Sequence, residues 1–231
     1  MARGYFVAGT DTGVGKTTVA VALIHALRQR GLRVAAMKPV AAGCEWVEGQ
    51  LQNDDVIALS AAVNVHADPR LVNPYAFAPA IAPHIAAAQT GVEIDLDKIM
   101  SAYAALTRAA DVVVVEGVGG FRVPLGEHLD TADLAQALDL PVVLVVGMRL
   151  GCLNHALLTA EAVAQRGLKW AGWVANVFDT NLPALAENLA ALELLLPKPC
   201  LGRVLNIPAI SSDGGSLPAY RMEWTDLTRV L

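Results

Sequence analysis

Residues 9–17 read Gly9-Thr10-Asp11-Thr12-Gly13-Val14-Gly15-Lys16-Thr17, set between the apolar run Tyr5-Phe6-Val7-Ala8 and a helical pattern that continues to Arg30. Main-chain N–H groups around Gly13, Val14 and Gly15 can wrap an anion, and a helix starting there turns its positive end toward the same point. Lys16 then reaches the outer phosphates of a nucleotide, and the Thr17 hydroxyl suits Mg²⁺. The loop is a variant of the common phosphate-binding pattern. Five positions before the Gly15-Lys16 pair stands Thr10, and the glycine, Gly9, comes one residue earlier.

Other residues could complete such a site. Glu116 ends the run Val112-Val113-Val114-Val115; an unpaired carboxylate there would be costly, so a metal or a cation should meet it. Asp54 and Asp55 open a helical stretch, where a carboxylate can cap the helix or bind the metal, and the sequence leaves both uses open. Lys38 sits at a strand end before Pro39. A second cation beside a phosphate can stabilise both the equatorial oxygens and an anionic nucleophile, although a surface lysine fits that position equally well. Gly151-Cys152-Leu153-Asn154 enters a helix whose free N–H groups suit a carboxylate. His84 and His155 read as packing or hydrogen-bonding residues.

These residues need a frame. Strand-like runs at 5–8, 33–37, 112–115, 142–146 and 170–175 alternate with helix-like stretches at 16–30, 54–63, 96–110, 154–166 and 183–196. Repeated βα units with strands apolar on both faces imply one α/β domain, a doubly wound and mainly parallel sheet with helices on both faces. Ligands of such sheets bind at the carboxyl ends of the strands. That rule gathers the phosphate loop, Lys38, Glu116, residues 147–152 and Asn176 on one rim. The proline-bearing segment between the second and third helices reads as an ordered irregular excursion, and from about residue 208 the chain reads as a loop and a loosely specified tail.

Bulk properties narrow the function. The 231 residues suit one domain, and 55% hydrophobic against 17% charged residues with a mean hydropathy of +0.45 exclude disorder. A net charge of −5 argues against nucleic acid or an anionic membrane as partner. Cys44, Cys152 and Cys200 are odd in number and far apart, which fits a reducing compartment rather than a disulfide framework. With no signal-like segment before Tyr5 and no apolar run long enough to span a bilayer, a cytoplasmic protein is expected.

Taken together, the residues of 9–17, Lys38-Pro39-Val40, Asp55, Val72-Asn73-Pro74-Tyr75, Pro83-His84, Glu116-Gly117-Val118-Gly119-Gly120, Gly151-Cys152-Leu153-Asn154-His155-Ala156 and Trp173-Val174-Ala175-Asn176 resemble the dethiobiotin synthetase family, in order, over roughly the first 200 residues. The resemblance implies a single P-loop NTPase-like synthetase domain over 1–231, acting as a homodimer. The implied reaction is ATP-dependent closure of a ureido ring from 7,8-diaminononanoate and CO₂. It also implies roles. Lys16 and Lys38 would hold carbamate and γ-phosphate together, Thr12 would lie on the substrate side, and Thr17, Asp55 and Glu116 would hold Mg²⁺. Residues 151–154 of the partner subunit would bind the substrate carboxylate, and Asn176 would face the nucleobase.

Three positions depart from the family pattern. Ala42 replaces a common substrate-touching serine, Gly13 fills the loop's variable position, and Leu201-Gly202-Arg203-Val204-Leu205-Asn206 lacks a usual proline. The rival reading is a nucleotide-switch ATPase of the partition type. Asp11 counts against it, because such proteins carry a lysine at that point of the loop.

Overall fold

The computed structural model describes residues 3–178, 181–210 and 216–225, with side chains for all of these except 3 and 206–220. Strand β1 (Arg3–Gly9) leads through the phosphate loop into α1 (Lys16–Gln29) and back to β2 (Val34–Met37). Short strands β3 (Val40–Ala42), β4 (Glu45–Val47) and β5 (Gln50–Gln52) precede α2 (Asp54–Ala62), α3 (Pro69–Val72), β6 (Tyr75–Phe77) and α4 (Pro83–Gln89). Alternation then resumes with α5 (Leu96–Ala109), β7 (Val112–Glu116), α6 (Thr131–Leu138), β8 (Val142–Gly147), α7 (Cys152–Gln165), β9 (Trp170–Val177), α8 (Leu185–Leu195) and β10 (Cys200–Ile210). The last described strand is β11 (Ser216–Trp224).

The main sheet has the order β11-β10-β9-β8-β1-β7-β2. Its pairings are parallel except for β10–β11 at one edge. Alternate residues of the central strands enter two separate cores. Phe6, Val113, Val115 and Leu144 meet residues of α5, α6 and α7 on one face, while Val7, Val112, Val114 and Val145 meet α1 and α2 on the other. Helix α1 shows how the sequence selects a face: Val19, Leu23, Ile24 and Leu27 recur at helical spacing and are buried, and Gly31, at φ 79°, turns the chain out after it. Among the described residues no helix is long and apolar enough to cross a membrane.

The structure departs from the sequence reading in several places. The excursion after α2 is more regular than expected, since it holds α3, β6 and α4, and β6 pairs with β3. Helix α6 was not anticipated, although Asp130 and Asp133 form its reciprocal capping box. Helix α7 begins at Cys152 rather than Asn154. Residues expected to form a loose tail instead include β11, whose main chain pairs with β10 from Gly202↔Trp224 to Ile210↔Ser216; the serine- and glycine-rich stretch 211–215 lies outside the described residues. Pairing with a neighbouring edge, rather than local propensity, makes that strand.

Candidate active site

Parity and register bring the first group together. Val34 pairs with Val112 and Ala36 with Val114, and these residues point to the face that carries α1 and α2. Two residues further along, Lys38 and Glu116 emerge on that same face at the strand ends. Thr17 arrives from the first turn of α1 and Asp55 from the first turn of α2. Asn53 caps α2 by accepting the Asp55 N–H at 3.1 Å. Neither Asp54 nor Asp55 is the cap, and the Asp55 carboxylate is available to the site.

The four side chains make a closed network. Lys38 Nζ lies 2.7 Å from Glu116 Oε1 and 2.7 Å from Asp55 Oδ2. The Thr17 hydroxyl lies 2.6 Å from Asp55 Oδ1 and 2.9 Å from Glu116 Oε1. Lys38 and Glu116 are buried, whereas the Asp55 side chain is 40% exposed and opens the network to solvent. Glu116 Oε2 is buried with no hydrogen-bond partner. Burial works against the Lys38 ammonium, but Glu116 and Asp55 outweigh it and hold its pKa above the usual lysine value. Burial pushes the Glu116 carboxyl up, against the pull of Lys38 and with a further push from Asp55.

Lys38 is not a surface lysine, and the excursion explains why. Its main-chain N–H donates to Val72 O at 2.8 Å, and Asn73 Nδ2 donates to Lys38 O at 2.6 Å and to Tyr75 O at 3.0 Å. Residues 72–75 thus clamp the backbone that aims the ammonium. The sequence shows Asn73 only as part of a motif, with nothing local to say that it serves Lys38.

Lys16, also buried, donates to Asp11 O at 3.2 Å and to Gly119 O at 2.6 Å. Burial first, and the nearby Lys38 second, draw its pKa down to about 8. Gly15 stands at φ 87° as the cap of α1, and a Cβ there would fall 2.0 Å from Asn176 Nδ2, so the loop closes against Asn176 only with glycine at that place. Asn176 Nδ2 donates to Val14 O at 2.9 Å, while its buried Oδ1 has no partner. Asn176 pairs in register with Val204. Val204 also lines an open, mostly apolar cleft of about 400 Å³ beside Thr17 and Thr18.

The remaining expected residues are placed as follows. Thr12 and Gly13 are exposed at the mouth of the loop, with the backbone open at Gly13, φ 72°. Ala42 ends β3, half-buried. Residues 151–154 begin α7, with Gly151 at φ 92° as its cap and Cys152 buried. In sheet order this turn follows β8, three strands from β2 and Lys38, or about 14 Å of sheet. The structure therefore gathers Lys16, Thr17, Lys38, Asp55 and Glu116 into one cluster, sets Asn176 against the loop, and leaves the α7 turn outside that cluster within one chain. A contact absent from the sequence reading joins the two regions, an ion pair between Arg149 and Asp11.

A strand, a glycine-gated phosphate loop and a helix, at the point where the sheet order reverses, with a lysine, a hydroxyl and carboxylates at its mouth, define a P-loop nucleotide-binding protein. Residues 3–213 match the AAA domain family. The chain is 56% identical to the ATP-dependent dethiobiotin synthetase BioD of Aromatoleum aromaticum over 207 residues, covering 89% of this chain and 91% of that protein. It is 53% identical to the protein of the same name from Janthinobacterium sp. (strain Marseille) over 227 residues, covering 96% and 94%. The chain belongs to the ATP-dependent dethiobiotin synthetase family. Among solved structures it resembles the septum site-determining protein MinD of Pyrococcus horikoshii complexed with Mg-ADP, at TM-score 0.55 and 17% identity over 91% of this chain and 84% of that one. It also resembles a ParA family ATPase of Chlorobium tepidum, at TM-score 0.52 and 16% identity over 87% and 83%. At such identities these two likenesses show the fold alone, and the partition-type reading is not favoured beside the synthetase relatives.

Proposed function

We propose that this one-domain chain, residues 1–231, uses ATP to close the ureido ring of dethiobiotin from 7,8-diaminononanoate and CO₂, through a carbamic-phosphoric anhydride. Family membership makes it an ATP-dependent ligase of biotin biosynthesis; the assignment of steps to residues is our reading. One amine of the substrate attacks CO₂ and loses a proton to give a carbamate. A carbamate oxygen attacks the γ-phosphorus, and the bond to the β-phosphate oxygen breaks to release ADP. The second amine then attacks the carbamoyl carbon, phosphate leaves with the carbamate oxygen, and the attacking nitrogen gives up one proton to solvent.

The carrying observation is the pair of lysines. Thr17, the neighbour of Lys16, and Lys38 both reach Glu116 Oε1, at 2.9 and 2.7 Å, so two buried lysines converge where two anions, carbamate and γ-phosphate, must be brought into contact. Thr12, exposed at the loop mouth, would face the substrate. Gly13, Val14 and Gly15 present the N–H groups for the phosphates, and Asn176 with the adjoining apolar cleft receives the nucleobase.

Mg²⁺ fits the residues present. Among the described residues no group of three or more His, Cys, Asp and Glu is placed to hold a metal, but Mg²⁺ beside phosphates needs only one or two carboxylates. Thr17, Asp55 and Glu116 would hold it, and the unpartnered Glu116 Oε2 is a ready acceptor. The ion would neutralise charge developing on the phosphates.

The α7 turn at Gly151, Cys152, Leu153 and Asn154 suits the substrate carboxylate, and its distance from Lys38 within one chain supports a homodimer in which each subunit completes the other's site. Ala42 removes one hydroxyl from the substrate wall. The buried free cysteines are in keeping with a reducing, cytoplasmic setting. The test is phosphate release from ATP with and without the diamine and bicarbonate. A synthetase requires both, whereas release that ignores them would support a nucleotide switch and overturn this reading.

A further inference from the structure

Asp11 makes three contacts that nothing in the proposed chemistry uses. Its carboxylate accepts the Thr12 N–H at 2.7 Å, its main-chain oxygen accepts from Lys16 Nζ at 3.2 Å, and its other carboxylate oxygen pairs with Arg149 Nη2. Asp11 therefore touches both candidate catalytic residues of the loop. The Thr12 N–H holds its carboxyl below the ordinary range; burial opposes this and Arg149 reinforces it.

Arg149 comes from a braced segment. Met148 N–H donates to Asn176 O at 2.8 Å, and Cys152 N–H donates to Arg149 O at 3.0 Å. Asn176 itself grips the loop through Val14 O. The connection between β8 and α7 thus holds the phosphate loop at two points, at Val14 through Asn176 and at Asp11 through Arg149. Between those points lie Thr12 and Gly13; Gly13 has a positive φ and open space where a Cβ would stand, while the turn at Gly119 and Gly120 flanks Thr12 and Asp11 from the other side.

We propose that Arg149 is a positioning residue for phosphoryl transfer, which acts through Asp11 to fix Thr12 and Lys16 at the loop mouth. This rests on the synthetase reading for the substrates but on the geometry alone for the loop. The Arg149 and Asp11 side chains are 48% and 45% exposed, and an ion pair so open to water adds little to stability. Its loss should register in turnover, where a small misplacement of reacting groups is amplified.

A double-mutant cycle on the full chain tests it, with Arg149→Ala, Asp11→Asn and the pair, Asn being able to keep the bond to the Thr12 N–H. Arg149→Ala should lower kcat about tenfold, with KM for ATP and diamine within about twofold of wild type, an unchanged melting temperature, and most of kcat restored by Arg149→Lys. In the Asp11→Asn background Arg149→Ala should have no further effect. Losses that multiply in the double variant, a raised KM for ATP with unchanged kcat, or wild-type turnover in Arg149→Ala would each overturn the proposal. If phosphate release from ATP proves independent of diamine and bicarbonate, the synthetase reading fails, and the same cycle run on that release still reads the coupling between Arg149 and Asp11, so the two failures are distinguished.

Discussion

Lys38 Nζ and Glu116 Oε1 meet at 2.7 Å, each at the end of its strand and each shielded from solvent. The contact joins neighbouring strands β2 and β7, and a mismatch of one residue in their register would turn one of the two side chains to the opposite face. A cation held in this way is preorganised for a second anion and has little room to relax.

Removing that cation should affect both chemistry and stability. Lys38→Ala should lower kcat by about 10²–10³-fold while leaving nucleotide binding largely intact, the size of one lost transition-state contact. It also leaves Glu116 buried with the Thr17 hydroxyl but no cation beside it, which should lower stability by about 3 kcal/mol. Single-turnover kinetics, ADP titration and denaturant unfolding measure the three effects. Near-normal turnover would remove Lys38 from the mechanism.

The parts of this site visible in the sequence are those whose chemistry is local. The phosphate loop shows itself because strand, glycines, lysine and hydroxyl stand within a few residues, and Glu116 because a carboxylate ends a run of four valines. Their convergence with Lys38 follows from a general rule of parallel sheets. Asn73 and Arg149 carry no such signal, since each acts on a residue far away or through another strand: Asn73 grips a carbonyl 35 positions earlier and Arg149 a carboxylate 138 positions earlier. Strand β11 is hidden for the same reason, as its partner β10 supplies the order that its own sequence lacks.

Glu116 should answer to the metal. In Glu116→Gln the fold is kept and a charged oxygen is lost, so the Mg²⁺ concentration for half-maximal activity should rise by about tenfold. Nucleotide binding followed across a Mg²⁺ titration gives a second readout. If the curves of variant and parent overlay, Glu116 serves structure only.

Lys16 should take up a proton when nucleotide binds. In the nucleotide-free protein its pKa is pulled down to about 8, and an anion at the loop favours the charged form and raises it. At about pH 9 the free protein therefore carries a mostly neutral Lys16 and the complex a charged one. Calorimetry of ADP binding in buffers of different ionisation enthalpy should show uptake close to one proton there and almost none at about pH 7. Stability follows the same linkage: the unfolded chain keeps this proton to higher pH, so the penalty is full below about pH 8 and fades as pH rises toward the ordinary lysine value. Equal uptake at both pH values would contradict this assignment.

Subunit mixing addresses the dimer. Lys16→Ala should abolish phosphoryl transfer, and Asn154→Asp should weaken diamine binding by opposing the substrate carboxylate with like charge. If each site takes its loop from one chain and its α7 turn from the other, mixed dimers regain one intact site of two. Random exchange then restores about a quarter of wild-type activity. No recovery, with exchange verified by labelling, would place both elements of a site in one chain.

The claim on which the rest depends is that a carbamate oxygen attacks the γ-phosphate. That oxygen comes from CO₂ and departs with phosphate when the ring closes, so it can be followed. Turnover with ¹⁸O-labelled bicarbonate, faster than its exchange with water, should transfer one ¹⁸O to each phosphate formed, in step with the ring product, as read by mass spectrometry. Ring product formed with stoichiometric phosphate that carries no ¹⁸O would contradict the account.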